Sequence, residues 1–133
     1  MVDIPKEVID TLAASDSAKM MATVDAKGIP NVVPVWSIAA VDAETVAFAE
    51  LFIKRTKENL QGNKKVAIAV FKGPMTGYQL KGDFAGFQTS GSIFENFSKK
   101  IMEAMKLQIK SVGLIKVDAV YSASPGQDSK RLA

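Results

Sequence analysis

The sequence predicts a mainly β protein, a small β-barrel of about six strands with a few helices. Three observations carry that reading. Segments with two-residue periodicity follow one another at hairpin spacing, turn residues punctuate them, and only three stretches switch to the helical period. At 133 residues the chain has room for one domain, 1–133.

Taken in order, Asp3 can cap a short helix with Pro5 in its first turn and Ile4, Val8 and Leu12 on one face. That helix should fade near Ser15. Met20, Ala22 and Val24 then alternate with Lys19, Met21, Thr23 and Asp25, the pattern of a half-buried strand. Asp25-Ala26-Lys27-Gly28 reads as a hairpin turn with Gly28 at positive φ. The return strand runs from Asn31 to Val41. Pro30 and Pro34 lack N–H donors, so they belong at its start and at an edge or bulge.

Thr45 to Leu51 is a third strand, and Thr56 to Gly62 a short helix closed by Gly62-Asn63. Lys65 to Phe71 follows with Val66, Ile68 and Val70 on one side, broken by Gly73-Pro74-Met75-Thr76-Gly77. Tyr78 to Thr89 places Tyr78, Leu80, Gly82, Phe84 and Gly86 on one face, and the two glycines allow sharp curvature or close backbone approach. From Ser92 to about Ile109 the apolar residues Phe94, Phe97, Ile101 and Met105 recur at helical spacing. Val112 to Tyr121 is the last strand, and 122–133 is expected to be a loose tail.

Composition removes whole classes of chemistry. Without cysteine there is no disulfide, thiol nucleophile or thiolate metal site, and without histidine no imidazole base or histidine-ligated metal. Redox chemistry would therefore need a bound cofactor. The absence of disulfides fits a cytoplasmic location. Met1 to Glu7 has neither a basic opening nor an apolar core, so no secretory signal is expected, and no apolar run is long enough for a membrane helix.

Net charge is +3, unevenly spread. Lys54, Arg55, Lys57, Lys64 and Lys65 face only Glu58 between positions 54 and 65, while the rest of the chain is slightly acidic. One short island suits a small anion better than a nucleic-acid backbone, which calls for a broad basic face. The island spans a strand running into a helix, where unpaired N–H groups attract phosphate. Lys54 adds a point charge, Arg55 a two-pronged grip and Thr56 a hydroxyl. Thr56 can equally cap its own helix while the cations stay solvated. At Pro34-Val35-Trp36-Ser37, Trp36 suits a core or a dimer interface; alternatively, an irregular edge strand leaves backbone groups free for the rim of a flat heterocycle. Tyr78, Lys81 and Asp83 are available for proton transfer or are plain strand residues, and no catalytic residue is named.

Ala22 to Trp36, followed at matching spacing by Lys54-Arg55-Thr56-Lys57-Glu58-Asn59-Leu60 and Asn63-Lys64-Lys65-Val66, resembles the pyridoxamine 5′-phosphate oxidase-like flavoproteins. The resemblance runs from about Ser17 to Thr89. It implies an FMN-binding split β-barrel of Greek-key type, homodimeric with FMN at the interface, and an oxidoreductase or electron-transfer role with an unknown redox partner. It also implies that Arg55 and Thr56 hold the phosphate, assisted by Lys54 and Asn59. Pro34, Val35, Trp36 and Ser37 would contact the ring and ribityl groups, Ala49, Glu50 and Leu51 would line the slot, and Gln79 would reach the second subunit's cofactor. The chain departs from the family's namesake, whose substrate motif carries His and Arg, because it has no His and ends with only Lys130-Arg131. The short FMN-binding members are the better likeness, and FMN storage, or a deazaflavin or haem ligand as in relatives, are the alternatives. Neither nucleic acid nor membrane is expected as a partner.

Overall fold

The longest strand of the protein, Thr76–Gln88, carries the two glycines that decide how the sheet bends. In the computed structural model, which describes residues 1–133, that strand is one of seven in a single antiparallel sheet accompanied by three helices. In chain order these are α1 (Lys6–Ala13), β1 (Ala18–Val24), β2 (Pro30–Pro34), β3 (Ala39–Ala40), β4 (Thr45–Ala49), α2 (Lys54–Gly62), β5 (Lys65–Lys72), β6 (Thr76–Gln88), α3 (Ser92–Met105) and β7 (Val112–Ser122). The strand order is β2-β1-β5-β6-β7-β4-β3. No helix is long and apolar enough to cross a membrane.

That order forces a curl. β2 and β3 form opposite edges yet are joined by Val35–Ile38 alone, a link that can span at most about 18 Å. Laid flat, seven strands would separate those edges by about 29 Å. The sheet must close on itself, and β6 supplies the bend. Its register with β7 shifts between Lys81 and Gly82 and again between Phe84 and Gly86. Gly86 has φ +111°, and a Cβ on Gly82 would collide with the Lys116 carbonyl oxygen. Both glycines serve curvature or close approach as the sequence predicts, but the second shift sets Gly86 opposite Leu114 and so on the other face from Phe84, which is opposite Ile115.

Inside the curl lie Met21, Ile38, Phe48, Ile68, Leu80 and Ile115, closed by Val8 and Leu12 of α1. α3 packs Phe97 and Ile101 on the other side of β4, against Ala47 and Ala49.

The mainly β reading holds, with seven strands rather than six. The long second strand divides because Val35–Ile38 is irregular, just past Pro34. Four local expectations change. Asp3 makes no cap; Pro5 precedes α1 without a side-chain hydrogen bond. α2 begins at Lys54, two residues early, and α3 stops at Met105, where Lys106 turns left-handed. The buried face of β1 belongs to Met21 and Thr23, leaving Met20, Ala22 and Val24 half-exposed outside. Finally, 122–133 is not a loose tail. β4 covers only Val112–Lys116 of β7, so Val120 and Ser122 have a free edge, which Lys130 to Ala133 fill. Ser122 N donates to Lys130 O at 2.7 Å and Leu132 N to Val120 O at 2.8 Å.

The bend yields a stability prediction. Gly82→Ala should destabilise the fold by about 1–3 kcal/mol, the range for forced overpacking, because the obstructing atom is backbone. Urea denaturation against the parent measures it, and an unchanged midpoint would refute the close approach.

Candidate functional site

α2 reads Lys-Arg-Thr-Lys-Glu-Asn-Leu-Gln-Gly, with Leu60 its one large apolar residue. A helix so polar cannot be docked by hydrophobic burial alone. Side-chain hydrogen bonds hold it instead. Asn31 Nδ2 on β2 donates to Thr56 Oγ1 at 3.1 Å and sits 3.5 Å from Thr23 Oγ1, while Asn59 Nδ2 donates to Thr23 Oγ1 at 3.0 Å. Thr23, Thr56 and Asn59 are all buried. The predicted phosphate residues Thr56 and Asn59 thus fasten the helix to the β1–β2 hairpin, through Thr23 and Asn31. The sequence offers one clue to that pairing, two polar residues facing each other across an otherwise apolar hairpin.

Fixing that face turns the other outward. Lys54 and Arg55 are exposed at the first turn and make no salt bridge. Ile53, the residue before the helix, has no side chain that can cap it, and the first turn contains no acid. α1 and α3 instead carry Glu7 and Glu95 there. Cations at the positive end of a helix are unfavourable, so this first turn concentrates positive potential, and the nearest acid on the helix is Glu58, one turn further on.

The connection from β4 is equally specific. Glu50 is buried; its Oε1 accepts from Ser111 Oγ at 2.6 Å and its Oε2 from Lys57 Nζ at 3.0 Å. Lys57 also lies 5.1 Å from the centre of the Phe87 ring. Glu50 therefore ties β4, α2 and the start of β7 together, and its carboxylate faces protein partners within the expected slot. Phe52 follows with φ +53° and 90% of its surface exposed. A strained, solvent-facing aromatic at this lip has no sequence signal.

Segment 34–37 lies beside these residues. Ala49 N donates to Ser37 Oγ at 2.9 Å, joining it to β4. Val35 N donates to Lys19 O at 3.0 Å, and the Val35 side chain enters the core. Trp36 remains about half exposed, while Ala49 is buried and Leu51 partly so. Gln79 is separate. It shares the outer face with Pro34 through the row Pro34, Met20, Ala69, Gln79, three strand spacings or about 14 Å away. Of the proton-transfer candidates, Lys81 lies over the Tyr121 ring and Asp83 pairs with Lys65 at 2.9 Å. Tyr78 packs against the core.

Comparison with known proteins adds the lineage. Residues 5–126 match the family model described as pyridoxamine 5′-phosphate oxidase. The crystal structure of HupZ from Group A Streptococcus is 30% identical with a TM-score of 0.83, covering 98% of this chain and 99% of that one. An uncharacterized protein of Methanocaldococcus jannaschii, MJ0282, is 28% identical over 99% of this chain and 89% of its own length. An FMN-binding protein from Syntrophomonas wolfei shares the fold at 16% identity, TM-score 0.79, over 90% and 88% of the two chains. Two further structures share it with lower TM-scores. They are an F420 reductase (21%, TM-score 0.64, 88% and 98% covered) and HutZ, the haem storage protein of Vibrio cholerae (16%, 0.66, 92% and 95%).

The Glu50 cluster has a pH consequence. Burial opposes ionisation of Glu50, but the Ser111 and Lys57 hydrogen bonds outweigh it, so its pKa lies below the ordinary 4.5. The stabilisation is present above the unfolded-state value and is lost as pH falls through the lower folded value. Glu50→Gln should cost about 1–3 kcal/mol at neutral pH, the range for stranding a charged hydrogen-bond partner. Thermal melts below pH 4.5 should bring parent and variant together. Parallel melting curves across that range would contradict the assignment.

Proposed function

Because the chain belongs to the pyridoxamine 5′-phosphate oxidase family, we propose that it binds FMN non-covalently and serves as an oxidoreductase or electron-transfer protein. The observation that carries the reading is the first turn of α2, two free cations on an uncapped helix end with no acid. A phosphate dianion supplies the charge that this end lacks. Arg55 takes two phosphate oxygens in its planar fork, Lys54 adds charge, and the first-turn N–H groups donate. Thr56 and Asn59 act one step back, holding the helix in place through Thr23 and Asn31.

FMN, once bound, supplies the electron-accepting ring, which no side chain here can provide. The chain positions it. Trp36 and Ser37 offer an aromatic surface and a hydroxyl beside the Ala49–Leu51 slot, whose backbone Ser37 braces through Ala49 N. Glu50 keeps Lys57 turned inward, so the phosphate corner is left to Arg55 and Lys54. Pyridoxamine phosphate is disfavoured as substrate. Arg131, the one arginine near the chain end, stacks on Tyr121 and donates to Ala133 O at 3.0 Å.

A homodimer belongs to the same reading. The outer sheet face carries Met20, Ala22, Val32, Ala67, Ala69 and Phe71 next to one another in register, beside the half-exposed Trp36. A continuous apolar face of this kind favours self-association, and Gln79 lies on it, placed to reach a cofactor held by the second subunit.

Four measurements test this reading. The purified protein should show a flavin absorption spectrum; a Soret band or a deazaflavin spectrum would overturn it in favour of the cofactors its fold neighbours carry. Arg55→Ala should weaken FMN binding by about 1.5–3 kcal/mol in calorimetric titration, and an unchanged dissociation constant would refute the phosphate assignment. Anaerobic photoreduction followed by oxygen or candidate acceptors separates catalysis from storage: sluggish, unselective reoxidation means storage. For the dimer, sedimentation should give twice the chain mass, and Ala69→Glu should shift it to monomer.

A further inference from the structure

A cavity of about 680 Å³ lies between the end of α1, segment 36–41 and α3, within the size range of small-ligand pockets. Most of its wall is apolar, with Trp36 at one side and Ile38 and Ile101 among the lining. Its charged residues are both cations, Lys19 from β1 and Lys100 from α3, and no aspartate or glutamate lines it. Neither lysine makes a salt bridge; Asp16, close by in sequence, pairs with Lys72 at 3.7 Å.

Lys19 is the less usual of the two. It sits on the inner face of β1, four residues from Thr23 and so about 13 Å along the strand from the hydrogen bonds that hold α2. Its ammonium donates to Leu12 O at 2.9 Å and Ile38 O at 3.2 Å, which leaves one of its three N–H groups unused. Burial pushes its pKa down, and no carboxylate answers that loss of hydration. Ser37 and Asn96 add donors to the same wall.

We propose that this cavity binds a small organic monoanion, a carboxylate with an apolar or aromatic body, its charge shared by Lys19 and Lys100 and its body resting on Trp36. Two lysines without an arginine favour a single carboxylate here over a phosphate dianion, which the α2 corner suits better. The site is separate from the phosphate corner, although it shares Trp36 and Ser37 with the proposed ring contacts, and its test needs no flavin.

Trp36 is the only tryptophan, so intrinsic fluorescence reports the cavity directly. The flavin-free protein is titrated with benzoate and, as a neutral match in shape, with benzyl alcohol. Benzoate should saturate at a concentration about tenfold or more below that for benzyl alcohol, as a charged hydrogen bond implies. Lys100 is exposed on α3, so Lys100→Gln should keep the fold, weaken benzoate by about tenfold and leave benzyl alcohol unchanged. Equal affinity for the two probes, no saturable response to benzoate, or no effect of Lys100→Gln would overturn the inference. Because the titration needs no flavin, failure of the FMN assignment leaves its result intact.

Discussion

The two hydrogen bonds that pin α2 to the β1–β2 hairpin, Asn31 to Thr56 and Asn59 to Thr23, set the geometry of everything beside them. Burying Leu60 is worth about 1.5–3 kcal/mol, too little to order a nine-residue polar helix whose backbone alone costs about 1 kcal/mol per residue. The bonds among Thr23, Asn31, Thr56 and Asn59 contribute about 1 kcal/mol each and, more decisively, make any other orientation strand buried polar groups. The sense of the helix, cationic turn outward, is therefore fixed by polar rather than apolar contacts. Lys57 adds to the same fixation from the far side through Glu50.

The curl of the sheet brings the parts within reach of one another. Four residues must bridge two sheet edges, and they can do so only because β6 bends twice, where Gly82 avoids a backbone clash and Gly86 takes positive φ. The bridge, Val35–Ile38, is consequently irregular and keeps donors and acceptors that a ladder would have used. Its position between the cationic first turn of α2 and the cavity follows from chain connectivity.

Much of this was legible in sequence, and the rest was hidden for identifiable reasons. Gly82 and Gly86 announced curvature because glycine inside a strand has few other uses, and the bulge that moves Gly86 to the other face was not legible. The island at Lys54-Arg55 announced a helix start without acids. The phase of β1 was not legible: Met20, Ala22 and Val24 form part of an apolar outer face, so both faces of the strand look buried and alternation loses its meaning. That same ambiguity concealed Thr23 as an inward polar anchor, and with it the positioning role of Thr56 and Asn59. The buried anchoring of Glu50 was hidden because its partner Ser111 lies 61 residues away. The closing strand segment at Lys130 to Ala133 depends on how short β4 is, which no local pattern encodes.

Electrostatics along the inner side of β1 ties the two anion-seeking places together. At one end the helix dipole and two solvated cations add up at an exposed corner, where a doubly charged group loses little hydration and gains several donors. At the other, Lys19 has surrendered water to an apolar wall and keeps only carbonyl partners, so a singly charged group with its own apolar body compensates both losses at once. The difference in burial, more than the number of charges, separates the ligands suited to each place. A solvated corner tolerates a dianion that the cavity would have to dehydrate at far greater cost, and the cavity rewards apolar surface that the corner cannot cover.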